Sequence, residues 1–258
     1  MESTLFQPYL DIFRQELQAQ NPAILGVLFA LFVVGFTIII MKIVWSKKIT
    51  RRAVLLIGLC ESGKTLLFIR LISGKFKHTQ TSITDSSASY RITGDKNSTL
   101  TLIDIPGHES LRLQFLEKFK SAARAIIFVV DSAIFQKELR DVAELLYIVL
   151  TDDIIEKNGI ALAVACNKQD VVMSKSSKLI RQQLEKELNT LRVTRSAALS
   201  SLDNSTGVGN MYLGKKGKDF EFSQLPFKVD FIECSARGSK EDSEPDIREL
   251  EKWLHGIV

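Results

Sequence analysis

The sequence predicts an α/β fold: a mainly parallel sheet of about six strands with one antiparallel edge strand and helices on both faces, preceded by a single transmembrane helix. Three observations predict it. From residue 53 onward, short apolar runs alternate with amphipathic stretches, the pattern of strands and covering helices. A segment of the form G-x-x-x-x-G-K-[ST], Gly58-Leu59-Cys60-Glu61-Ser62-Gly63-Lys64-Thr65, lies between the first apolar run and the first helical one. Residues 21–41 carry no charge at all.

In chain order, residues 1–21 mix Asp11, Arg14 and Glu16 with apolar residues and form a short N-terminal segment. Residues 22–45 follow as the span, because about 20 apolar helical residues cross about 30 Å of hydrocarbon. Pro22 suits its first turn and Trp45 suits the headgroup zone. A cleaved signal peptide needs a basic start and a shorter apolar core, and a buried helix keeps a polar face; this run has neither. Lys42, Lys47, Lys48, Arg51 and Arg52 crowd its C-terminal side. The positive-inside bias therefore puts the N-terminus in the lumen and the globular part in the cytosol, with the basic linker 46–52 drawn to anionic lipid. Seven linker residues reach at most about 25 Å, so the domain at 53–258 stays tethered.

Within that domain the strands are expected at 53–58, 88–93, 100–104, 125–130, 161–166 and 228–233, and the helices at 64–73, 110–119, 138–150, 176–191 and 245–255. Gly94-Asp95-Lys96-Asn97 joins the second and third strands as a hairpin, hence the antiparallel edge. In the fourth helix Ile180, Leu184, Leu188 and Leu191 make one stripe, with Arg181, Gln182, Glu185 and Lys186 facing out. Residues 192–227 form an insertion, its Ser- and Gly-containing first part expected to be mobile and its Phe220-Glu221-Phe222 end to pack on the domain.

Ligands of such a sheet lie at the C-terminal ends of the strands, and the chemical signatures fall there. The glycines of Gly58–Thr65 let successive backbone N–H groups meet a phosphate at a helix start. Lys64 adds charge at the outer phosphates, and the Thr65 hydroxyl is placed for magnesium. Asp104-Ile105-Pro106-Gly107 closes the third strand, where Asp104 orients the metal through water and the Gly107 N–H meets a γ-phosphate. Asn167-Lys168-Gln169-Asp170 closes the fifth: the Asp170 carboxylate accepts from N1–H and the exocyclic amine of guanine, whereas adenine lacks the first donor. Ser235-Ala236-Arg237 follows the sixth, where a backbone N–H reaches the guanine oxygen. The expected ligands are GTP or GDP with Mg2+, touched by Gly58 to Leu66, Thr79, Gln80, Thr81, Ser82, Gly107, Asn167, Lys168, Asp170, Ser235 and Ala236.

These motifs, in this order, resemble the Ras-type small GTPases, and Asn167-Lys168-Gln169-Asp170 with Gly58-Leu59 is most similar to the ADP-ribosylation-factor branch. One N-terminal span, Asp104-Ile105-Pro106-Gly107-His108-Glu109 and Thr79-Gln80-Thr81-Ser82-Ile83-Thr84-Asp85 together resemble the β subunits of signal recognition particle receptors, from about residue 5 to the end. That resemblance implies residence in the endoplasmic reticulum membrane, a heterodimer with the receptor's soluble α subunit, and contact with the ribosome or translocon, without direct sequence-specific nucleic-acid binding. The alternative is a switch of the ADP-ribosylation-factor type acting in vesicle coats or other membrane traffic. The integral anchor weighs against it, since cycling on and off membranes needs a reversible attachment.

A threonine of residues 79–84 closes over magnesium when the γ-phosphate is present, with Thr81 preferred and Thr79 and Thr84 as rivals. His108 stands where many relatives carry a water-orienting glutamine, and is the candidate for that part in hydrolysis; a solvent-facing side chain is the alternative. Cys60 and Glu61 crowd the γ-phosphate region, so intrinsic turnover is expected to be slow. The net charge of +4 does not imply nucleic acid as a partner. Cys60, Cys166 and Cys234 are an odd number of thiols in or beside strands and loops, which indicates a reducing compartment and excludes a disulfide framework or zinc site.

Overall fold

The computed structural model describes residues 22–45, 51–91, 99–201, 213–215, 217–238 and 244–257. The expectations for residues 1–21, most of the linker, the turn at 94–97 and residues 202–212 lie outside them. The chain divides into two units, Met1–Thr50 and Arg51–Val258.

In the first unit, α1 (Pro22–Trp45) is a helix of 24 residues with proline in its first turn, where a missing N–H costs nothing. Phe29, Leu31, Phe32, Val34, Phe36, Ile38, Ile40 and Met41 on it are all exposed. Among the described residues no helix is both long and apolar enough to cross a membrane. The side chains described within α1 are those of residues 29–41 except 39, fewer than the roughly 20 that a crossing needs.

The second unit is built on a six-stranded sheet in the order β2-β3-β1-β4-β5-β6. Its strands are β1 (Ala53–Ile57), β2 (Ser86–Arg91), β3 (Thr99–Asp104), β4 (Ala123–Asp131), β5 (Ala161–Asn167) and β6 (Val229–Glu233). β2 pairs antiparallel with β3, as the hairpin expectation required, and the remaining pairs are parallel. β1 is apolar and buried throughout because helices cover both faces of it. Leu55 and Ile57 join the core on one side, with Phe128, Val130 and Leu162; Val54 and Leu56 join the core on the other, with Leu67, Leu71 and Ile127.

The helices are α2 (Lys64–Ser73), α3 (Glu109–Phe119), α4 (Phe135–Leu150), α5 (Asp153–Lys157), α6 (Ser177–Ser201) and α7 (Arg248–Gly256), with 3-10 turns at Lys120–Ala122 and Phe222–Gln224. α2 ends where Gly74 takes a left-handed conformation, φ 68°, and returns its N–H to the Arg70 carbonyl, a glycine stop of the usual kind. The Ile180, Leu184, Leu188 and Leu191 stripe is buried, as expected. α6, however, continues to Ser201, so the first ten residues of the insertion are helical where a mobile segment was expected. Phe220 and Phe222 pack edge to face, ring centroids 5.3 Å apart, and both are buried on the domain. Trp253 anchors α7, its indole N–H donating to Asp230 at 2.9 Å.

Chain direction positions the site. From β1 the chain runs to β2 and β3 on one side, then crosses to β4, β5 and β6 on the other. The C-terminal end of β1 is therefore the switch point at which such sheets leave a crevice, and residues 58–65 lie there.

Candidate nucleotide site

A cavity of about 520 Å³ opens at this switch point, lined by Cys60, Glu61, Gly63, Lys64, Thr65, Leu66, Thr79, Gln80, Thr81, Ser82, Ile105, Gly107 and Lys168. Four separate sequence segments thus meet on one space: the loop after β1 with the start of α2, the segment before β2, the turn after β3 and the loop after β5. Two glycines bring them this close. A Cβ on Gly63, whose φ is 88°, would sit 2.3 Å from the Asn167 amide, and one on Gly107 would sit 2.7 Å from the Lys64 ammonium. Side chains there would displace backbone and cation alike.

The polar groups are held from within. Lys64 is buried and donates to the Leu59 carbonyl at 2.6 Å. Burial pushes its ammonium below the ordinary lysine range, and Asp104 and Cys60 oppose that shift. Thr65 donates its hydroxyl to Asp104 Oδ2 at 2.7 Å and meets the Ser82 hydroxyl at 3.0 Å. Asp104 is 1% exposed and its other oxygen, Oδ1, is buried without a partner. Burial pushes its carboxyl up, offset by the Thr65 hydrogen bond and the Lys64 charge. An orphaned carboxylate oxygen beside a threonine and a serine hydroxyl is an all-oxygen donor set, which fits a hard divalent cation such as magnesium.

The second half of the site lies at the ends of β5 and β6. Asn167, 1% exposed, donates to the Ser62 carbonyl at 2.9 Å and accepts from the Ala236 N–H at 3.0 Å, so it ties the phosphate-type loop to the loop after β6. Lys168, at φ 65°, takes the left-handed conformation that a non-glycine residue seldom adopts, and its ammonium donates to Asp131. Ser235 donates to Asp170 Oδ1 at 2.6 Å and accepts from the Gly238 N–H at 2.9 Å, which orients a carboxylate otherwise open to solvent.

The structure brings most of the expected residues together, with three departures. The hydroxyl that meets Thr65 belongs to Ser82, not Thr81; Thr81 and Thr79 line the cavity instead. His108 is exposed at the start of α3 and does not line the cavity. The Ala236 N–H, a candidate for the guanine oxygen, is engaged by Asn167. Sequence reasoning missed Asp131, which pairs with Lys168 and caps the next turn through Ala133 N–H at 2.9 Å. Its place at the end of β4 was the available signal, since Asp104 and Asp170 were weighed for their places at or just beyond the ends of β3 and β5. It also missed Arg70, whose guanidinium donates to the Ala236 and Arg237 carbonyls at 3.0 and 3.2 Å and so fixes the loop after β6 from α2.

Comparison with known proteins places this arrangement. The signal recognition particle receptor beta subunit family matches residues 49–229. The signal recognition particle receptor subunit beta of Rattus norvegicus is 62% identical over 254 residues, covering 98% of this chain and 94% of its own. Among solved structures, that of the mammalian SRP receptor superposes with a TM-score of 0.71 at 60% identity, over 80% of this chain and 100% of the other. The signal recognition particle receptor SRb-GDP-Mg from Chaetomium thermophilum does so with a TM-score of 0.60 at 25% identity, over 81% and 98%. With so much of its length matched at this identity, the chain belongs to the signal recognition particle receptor β-subunit family of small GTPases.

Proposed function

We propose that the chain is the membrane-anchored, GTP-binding subunit that holds the receptor's soluble α subunit at the endoplasmic reticulum membrane for co-translational protein targeting. The observation that carries this reading is the convergence of Lys64, Thr65, Ser82 and Gly107 around one cavity at the switch point of the sheet, with Asp104 hydrogen-bonded to Thr65. Glycine backbone and a buried lysine suit the phosphates, and the Asp170 carboxylate, held by Ser235, suits the donors of a guanine edge.

Thr65 and Ser82 would hold magnesium directly and Asp104 through water. The metal, when bound, neutralises charge on the outer phosphate oxygens. What the chain itself supplies is position: Lys64 moves from the Leu59 carbonyl to a phosphate oxygen, and Gly107 presents an N–H where a side chain would block it. His108 lies outside the cavity, which favours slow turnover and a nucleotide that acts as a conformational state. The GDP and magnesium carried by the relative from Chaetomium thermophilum support the same ligands here.

Anchoring is proposed for residues 22–45. Support comes from the charge-free run 21–41 and from the exposure of its described apolar side chains on α1. Such a surface suits lipid, and the basic residues after it support a cytosolic side for residues 53–258.

The test uses the full chain in lipid nanodiscs, loaded with GTP or GDP in magnesium and presented with the soluble α subunit. Retention of the α subunit with GTP, and loss of it with GDP, is the expected result. Equal retention in both states, or none, would defeat the reading.

A further inference from the structure

We propose that Arg70 is a positioning residue for base recognition: from α2 it sets the loop after β6, and through that loop the Asp170 carboxylate, so that it governs guanine preference and nucleotide release. The inference rests on the guanine-nucleotide reading above. Arg70 lies in the second turn of α2 and is 5% exposed. Its Nε donates to the Ala236 carbonyl at 3.0 Å, one terminal nitrogen to the Arg237 carbonyl at 3.2 Å and the other to the Gly74 carbonyl at 3.0 Å. The guanidinium carbon also lies over the Phe76 ring, 5.4 Å from its centroid. A contact that only filled space between α2 and the loop would need no more than an apolar side chain, whereas a buried guanidinium loses hydration and recovers it only through directed hydrogen bonds. Two of its nitrogens on successive carbonyls of one loop fix that loop's direction as well as its distance.

The loop held in this way is tied to the phosphate-type loop. Ala236 gives its N–H to the Asn167 side-chain oxygen at 3.0 Å, and the Asn167 amide donates to the Ser62 carbonyl at 2.9 Å. Only Gly63 separates Ser62 from α2, so the path from Arg70 through Ala236 and Asn167 returns to the helix that carries Arg70. Ser62, Asn167 and Ala236 are all buried, which keeps water from replacing these bonds. Removing the guanidinium opens the ring at its α2 link.

The same loop orients the carboxylate. Ser235 exchanges backbone hydrogen bonds with Asp246 at 2.9 and 3.0 Å, which anchors the loop where it begins. Arg70 anchors its middle. Gly238, at φ 77°, then turns its N–H back to the Ser235 hydroxyl oxygen at 2.9 Å, and that hydroxyl donates to Asp170 Oδ1 at 2.6 Å. A shift of the Ala236 and Arg237 carbonyls moves the Gly238 N–H and so swings the hydroxyl that holds Asp170. A misaligned carboxylate gives up the exocyclic amine of guanine; hypoxanthine lacks that amine and has nothing there to lose.

The experiment measures affinity and stopped-flow release of mant-GDP and mant-IDP, with magnesium, for the full chain in detergent. The variants are Arg70→Ala and Arg70→Lys, each with its melting temperature recorded. Arg70→Ala is expected to release mant-GDP about tenfold faster and to lower the ratio of mant-GDP to mant-IDP affinity about fivefold. Arg70→Lys, which keeps the charge but not the fork, is expected to fall between that variant and the parent. An unchanged release rate, or equal weakening of both probes, overturns the inference: the first makes the contact idle, and the second makes it a matter of stability alone. If Arg70→Ala does not fold, the same ratio in Arg70→Lys decides. In each of these outcomes the parent still binds mant-GDP and the nucleotide site stands; if the parent binds neither probe, the guanine-nucleotide reading and this inference fall together.

Discussion

At the scale of single residues, the site works through groups whose partners are already chosen. Ser235 holds Asp170 by one oxygen at 2.6 Å, so the carboxylate is oriented, and under the proposed function it would accept from the two donors of a guanine edge. Asp170→Asn replaces one acceptor by a donor. It should lower affinity for GTP at least tenfold while raising that for xanthosine triphosphate, whose oxygen at the corresponding position accepts. Competitive displacement of mant-GDP by each nucleotide measures this, and an unaltered preference for guanine would remove Asp170 from the site. Asp170 was legible from Asn167-Lys168-Gln169-Asp170 alone, because base recognition needs a carboxylate at a strand end. Arg70 and Asp131 were not: each acts through a partner that is distant in sequence, and no local spacing announces such a pair. That the Ser82 hydroxyl, and not that of Thr81, meets Thr65 was equally hidden, since neighbouring hydroxyls in an extended segment differ only in which way they face.

Elements were legible where periodicity had room to repeat. All six strands fall within two or three residues of their expected bounds, since buried apolar runs end at the turn residues that flank them. α5 was missed because its five residues are too few to show a helical period; its sign was Asp152, which caps it by accepting from Ile154 and Ile155 N–H at 2.9 and 3.1 Å. The extension of α6 was missed for a different reason. Arg192 ought to face solvent by its type, yet it is 4% exposed. Its guanidinium donates to the Leu213 and Lys215 carbonyls at 3.2 and 3.3 Å and also to the Lys218 carbonyl. One helical arginine thus gathers the returning strand of the insertion over Phe220. Arg192→Ala strips three carbonyls of their donor, at about 1 kcal/mol each, or about 3 kcal/mol in all. Urea unfolding should show that loss, and limited proteolysis should cut faster beside Gly214. A variant with the parent's unfolding midpoint and cleavage rate would mean that the clamp contributes nothing.

For the molecule as a whole, the three thiols report on how the sheet is closed. Cys60 is partly exposed in the cavity, and Cys166 and Cys234 are buried. The last two lie on neighbouring strand ends, the Cys234 N–H donating to the Cys166 carbonyl at 3.0 Å. They join cores on opposite faces of the sheet, so they do not face each other for a disulfide. Burial pushes both thiols up, Cys234 to about 12, against about 8.5 in an unfolded chain. The sign follows: below about pH 8.5 both states keep the protons, and above it the unfolded chain loses them first. The domain should therefore lose stability as pH climbs from about 8.5 toward 12, on the order of 1.4 kcal/mol per pH unit for each thiol. Cys166→Ala and Cys234→Ala should each start from a lower midpoint, through the cavity left behind, yet show a shallower decline between pH 8.5 and 10. Urea midpoints across that interval separate the two effects. Burial raises Tyr90 as well, but from an ordinary value near 10, above the interval in which the thiols act. Declines of equal slope in parent and variants would show that the two sulfur atoms remain in contact with water, and that the C-terminal ends of β5 and β6 are open where the structure closes them.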